Sequence, residues 1–163
     1  MKSVIKLVLL VSVLLMSACS IKDETGPGEV HWDRDICARC VMAVSDHFFS
    51  AQIRGGAEGE RTDLYFFDDL GCAVIWLDKQ LWKDDPRTEI WVNDHESGDW
   101  IDASKAWYLT GKTTPMDYGL AAQLAKVEGA LNYQEAVEEV YKREANPDRG
   151  CCPSHKAGGA DLQ

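Results

Sequence analysis

Hydrophobic positions change their spacing several times along the chain, and each change predicts a different element. From 7 to 16 they run without interruption except at Ser12, with Lys2 and Lys6 ahead and Ser17-Ala18-Cys19 behind. Residues 21–30 then offer little to bury, being rich in Gly, Pro, Lys, Asp and Glu. Residues 47–54 carry Phe48, Phe49, Ala51 and Ile53 and predict a strand, and 62–67 carry Leu64, Tyr65, Phe66 and Phe67 and predict a second. The glycine-rich stretch 55–59 between them reads as the turn of a hairpin.

Asp68 or Asp69 can cap a helix in which Leu70, Ala73, Val74 and Leu77 form one apolar stripe. Asp84-Asp85-Pro86 breaks that pattern. Residues 88–92 predict a strand with Ile90 and Val92 on one face, and 93–98 a turn. Residues 100–102 and 106–109 predict further strand pieces, and 111–119 an irregular loop holding Pro115-Met116. Residues 120–127 predict a short helix. A longer helix follows Asn132, with Glu135 placed for a capping box and a stripe of Tyr133, Ala136, Val137, Val140 and Tyr141. Glu138–Lys142 and Glu139–Arg143 are spaced as i,i+4 pairs, and Asn146-Pro147 ends the helix. Strands and helices in this order predict an α+β fold with an antiparallel sheet, in one domain of two related halves.

The order charged, apolar, small at the start of the chain is that of a secretory leader over residues 1–18. Its apolar run is shorter than the roughly 20 residues a spanning helix needs. Met16-Ser17-Ala18-Cys19 resembles a lipobox in which Cys19 becomes the lipidated first residue, so 19–30 reads as a lipidated start and tether. Ser20 after that cysteine leans towards the outer membrane. The expected organisation is then a domain over 31–146 and a polar tail over 147–163. Removal of the leader takes Lys2 and Lys6 with it, so that 17 basic residues become 15 against 27 acidic, a formal charge of −12. That balance argues against nucleic-acid partners and anionic lipid surfaces.

Six cysteines are present, at 19, 37, 40, 72, 151 and 152. With Cys19 assigned to lipid, five remain, an odd number for an exported chain. Cys37-Ala38-Arg39-Cys40-Val41-Met42 puts two thiols and a thioether within six residues. Soft sulfur donors of this mixture select Cu(I) over hard ions. The same residues also fit a structural disulfide, a thiol–disulfide redox pair, or part of a zinc site completed by Cys151, Cys152 and His155. His95, in a polar turn, and the tail residues Cys151, Cys152 and His155 are possible additional metal ligands. His31 and His47 flank the motif and are weaker candidates. Cys72, off the main stripe of its helix, reads as a small core residue. Neither His-Glu-x-x-His, Gly-x-Ser-x-Gly nor a phosphate-cradling glycine loop occurs, so a non-enzymatic role is expected.

The segment Asp33-Arg34-Asp35-Ile36-Cys37-Ala38-Arg39-Cys40-Val41-Met42 resembles the signature of the NosL family, periplasmic lipoproteins associated with nitrous oxide reductase assembly in denitrification. The resemblance continues through Tyr65-Phe66-Phe67, through Trp100-Ile101-Asp102-Ala103 to Tyr108, and through Thr114-Pro115-Met116-Asp117-Tyr118-Gly119. It runs from about Trp32 to Tyr141. Many members carry Gly where Val41 stands. The resemblance implies two small ββαβ-like halves and a Cu(I) chaperone that is lipid-anchored on the periplasmic side of a membrane. Its implied partners are apo nitrous oxide reductase and the membrane assembly machinery, and Met42 or Met116 would complete a site begun by Cys37 and Cys40. The alternative functions are a thiol–disulfide oxidoreductase or a zinc-binding structural lipoprotein using Cys37 and Cys40.

Overall fold

The computed structural model describes residues 24–146. The elements in chain order are β1 (Ala51–Gly55), β2 (Asp63–Phe67), α1 (Leu70–Leu77), β3 (Glu89–Asn93), β4 (Trp100–Asp102), β5 (Trp107–Leu109), β6 (Ala121–Gln123) and α2 (Tyr133–Glu144). The fold is α+β, with an antiparallel four-stranded sheet in the order β2-β1-β3-β4 and a two-stranded sheet of β5 and β6. β1, β2, α1 and β3 form the ββαβ unit expected of the first half. The second half contributes β5, β6 and α2, and among the described residues no strand follows α2. No helix among the described residues is long and apolar enough to cross a membrane.

β1 is buried along its whole length because both of its faces are covered. Ala51 and Ile53 face the core with Phe67 and Val92, and α1 lies over them. Trp76 of α1 packs on Tyr65 and Phe67, with ring centroids 4.5 and 5.3 Å apart. Gln52 and Arg54 alternate to the other face, where residues 24–30 cover them. Gln52 bonds both the N–H and the C=O of Gly28, at 2.8 and 3.0 Å, and Arg54 Nε donates to Gly26 O at 2.9 Å. Val30 is buried. From residue 24 onward the expected tether is therefore docked on the sheet. Two buried polar side chains of β1 need partners, and this segment's backbone supplies them. Residues 19–23, with Cys19, lie outside the described residues, as do the leader and the tail.

Four further expectations are corrected. The strand predicted over 47–54 begins only at Ala51, because Asp46 caps a turn there: its Oδ1 accepts Phe48 N–H and its C=O accepts the Ser50 hydroxyl. The helix predicted over 120–127 is strand β6, paired with β5 and bridged at Ala122 to Asp94. Helical spacing there would have required Leu124 and Val127 to be buried, but both are exposed, Leu124 at 63%. Tertiary pairing overrides the helix propensity of alanine and leucine. On α2 the capping box forms as read, and Ala136 and Val140 are buried, but Tyr141 turns outward. Arg143 meets Glu139 at 3.8 Å as the spacing predicts, whereas Lys142 reaches Glu139, at 3.7 Å.

The loop 111–119 is seated on the start of α1. Asp69 caps that helix by accepting Gly71 N–H at 3.0 Å, and its second oxygen accepts the Thr114 hydroxyl at 2.5 Å and Met116 N–H at 3.3 Å. The ring of Tyr118, fully buried, lies directly over Gly71, where a Cβ would stand 2.1 Å from a ring carbon. Gly71→Ala is therefore expected to destabilise the protein by about 1–3 kcal/mol through overpacking, more than the gain in helix propensity returns. Chemical denaturation measures this, and unchanged stability would show that Tyr118 does not pack on the helix.

Candidate metal centre

The Cys-x-x-Cys-x-Met segment is a tight loop closed on itself. A bridge between Ile36 and Ala43 fixes its base. Cys37 N–H donates to Met42 O at 2.8 Å, and Val41 N–H to Cys37 O at 3.0 Å. Ala38 N–H donates to Phe66 O at 2.9 Å, which docks the loop on the edge of β2 just before the chain turns into α1. The turn needs a left-handed residue, and Val41 supplies it with φ of +64°. A β-branched residue there is a backbone outlier, with a cost of order 1–3 kcal/mol. This is the position at which the resemblance expects Gly, so the loop keeps the geometry that Gly would favour and Val41 carries the strain, its side chain 75% exposed.

Docking on β2 brings the loop against the first turn of α1, where Cys72 stands. The sulfurs of Cys37, Cys40 and Cys72 all lie within 4.8 Å of one another, and the three are free thiols. Cys37 and Cys72 are buried; Cys40 is half-buried. Such a cluster can hold a metal ion. Among the described residues no His, Asp or Glu joins it, and no other group of three such ligands occurs.

The thiols govern one another's ionisation. A hydrogen bond from Cys72 holds the Cys37 thiol down at about 5 against the opposing effect of burial, and backbone hydrogen bonds from the loop assist. Cys72 likewise lowers Cys40. Cys72, as the donor to both and itself buried, is pushed far up. The two loop thiols are thereby favoured in their ionised form, with the proton kept on Cys72. Asp68, next in chain after β2, is pushed up to about 6 by burial and then by the charge of Cys37.

Of the residues singled out in the sequence, the structure brings Cys37 and Cys40 together. Met42 is 51% exposed on the same loop, its carbonyl bound to Cys37 N–H. Met116 is 1% exposed, held through its backbone to the carboxylate that caps the helix of Cys72. His95 does not join the cluster; its Nδ1 pairs with Ala122 O at 3.0 Å in the turn between β3 and β4. His31 pairs with Asp35, and His47 stacks on Trp32. Cys151, Cys152 and His155 lie outside the described residues. Cys72, expected in the core, is the residue the sequence reading missed. It is buried as a core residue would be, and only the docking of the cysteine loop on β2 reveals the second role.

Comparison with known proteins yields no match: no family model fits the chain, and no significant likeness to a curated protein or a solved structure is found.

In the reduced protein, thiolate ultraviolet absorbance is expected to appear in a step near pH 5 and to persist at neutral pH. Cys72→Ala removes the donor and should move that step upward. Titration of all thiols together near their ordinary value would contradict the hydrogen-bonded trio.

Proposed function

We propose that this chain is a Cu(I) carrier whose metal centre is built from Cys37, Cys40 and Cys72. The observation that carries the reading is the convergence of three sulfurs within 4.8 Å, a group that no carboxylate or imidazole joins among the described residues. Thiolates favour Cu(I), which accepts two or three ligands, whereas structural Zn²⁺ takes four in a tetrahedron. Half-exposure of Cys40 fits a carrier, since a recipient's ligand can reach the metal from that side and displace the protein's sulfurs one at a time. In this proposal Met42, exposed on the same loop, offers a weaker thioether during that exchange, and the buried Met116 is the second thioether. The resemblance of the loop 33–42 and of the Pro115-Met116 segment to the NosL pattern supports nitrous oxide reductase as recipient. It likewise supports a lipid anchor at Cys19 and a periplasmic site of action, with no enzymatic turnover.

A second reading is thiol–disulfide exchange, favoured by the lowered Cys37 thiol and the accessibility of Cys40. It requires Cys37 and Cys40 to cycle without metal.

Anaerobic competition with a chromogenic Cu(I) chelator on the reduced protein, with Zn²⁺ run in parallel, separates the two. One Cu(I) per chain is expected, weakened about tenfold or more by Cys72→Ser and by Met42→Leu less strongly. Ready reduction of a disulfide substrate together with an absence of Cu(I) binding would replace the carrier by the oxidoreductase.

A further inference from the structure

The cysteine loop holds a cation that the three sulfurs alone do not account for. Arg39, between Cys37 and Cys40, is drawn inward, its side chain only 14% exposed. Its Nη1 donates to the Tyr118 hydroxyl at 2.7 Å and stands 3.8 Å from Cys72 Sγ, while Nη2 meets Glu144 Oε1 at 2.5 Å. The Tyr118 hydroxyl in turn donates to Glu144 Oε2 at 2.6 Å. A guanidinium bound by a phenol and a carboxylate is fixed in place, and arginine does not lose its proton in proteins. A permanent positive charge therefore stands beside the sulfur cluster.

That charge does not treat all metals alike. Whatever number of thiolates binds, a Cu(I) complex keeps one more negative charge than the Zn²⁺ complex with the same ligands. A fixed cation stabilises the more negative complex more strongly. At separations of about 4–6 Å in partly buried surroundings, one charge is worth tenfold or more in an equilibrium constant. Glu144, on the far side of the guanidinium, opposes this effect and tempers it.

We propose that Arg39 is a specificity-determining residue of the metal centre: its charge beside Cys72 biases the thiol cluster towards monovalent Cu(I) over divalent Zn²⁺, with Glu144 setting how strongly. This rests on the Cu(I) reading of the cluster.

The test compares Cu(I) and Zn²⁺ affinities by chelator competition in the reduced full-length chain, for the wild type and for Arg39→Gln, Arg39→Lys and Glu144→Gln. Arg39→Gln is expected to lower the ratio of Cu(I) to Zn²⁺ affinity by about tenfold or more, and Arg39→Lys to restore most of it. Glu144→Gln should move the ratio the other way, towards Cu(I). A purely structural role for the Arg39–Glu144 pair would weaken both metals together and would make the two neutral variants alike. Parallel losses for both metals, or a ratio unmoved in folded Arg39→Gln, overturn the proposal while leaving Cu(I) carriage intact. Failure of the wild type to bind Cu(I) overturns the carrier reading itself, and this inference with it.

Discussion

The carboxylate of Asp69 holds together the parts on which the candidate metal centre depends. It is buried, and burial pushes its pKa up to about 6 against the opposing effect of several hydrogen-bond donors. Each of its oxygens is used. One caps the helix that carries Cys72, and the other gathers Thr114 and Met116 from a loop more than 40 residues further along the chain. A buried polar group is tolerable only when its hydrogen bonds are made, so the helix start and the loop are obliged to meet. Their meeting seats Tyr118 over Gly71, and the Tyr118 hydroxyl then lies where Arg39 and Glu144 can both bond it. Removing one link of this sequence loosens the next, which ties the fold of the second half to the chemistry of the first.

The cysteine loop is assembled from the opposite direction. Its own hydrogen bonds close it, at the cost of a left-handed valine, and Ala38 attaches it to the edge of β2. Because β2 leads through Asp68 and Asp69 directly into α1, fixing the loop on β2 also fixes it beside Cys72. Two sulfurs local in sequence and one 32 residues beyond Cys40 thus meet through a single strand–helix junction. The cluster has two buried thiols and one that is partly open.

Much of this is legible in the sequence where the signal is local. The hairpin of β1 and β2, a helix cap at Asp68 or Asp69, the capping box at Asn132 and Glu135, and the Cys37–Cys40 pair all follow from spacings of a few residues. What escapes is what pairing across the chain decides. β6 reads as helix because Ala121 and Ala122 carry no strand signal until β5 lies beside them. Residues 24–30 read as tether because their role is to offer backbone groups to Gln52 and Arg54, a function that leaves no apolar mark. Cys72 reads as core because it is buried in fact, and burial conceals the second use of its sulfur.

X-ray absorption at the copper edge of the Cu(I)-loaded, reduced protein tests the central claim most directly. Copper is expected to have three sulfur neighbours and no nitrogen or oxygen, the number falling by one in Cys72→Ser while the copper remains bound. Nitrogen or oxygen bound to the copper, or a sulfur count unchanged by the loss of Cys72, would contradict a centre built on the three clustered thiols.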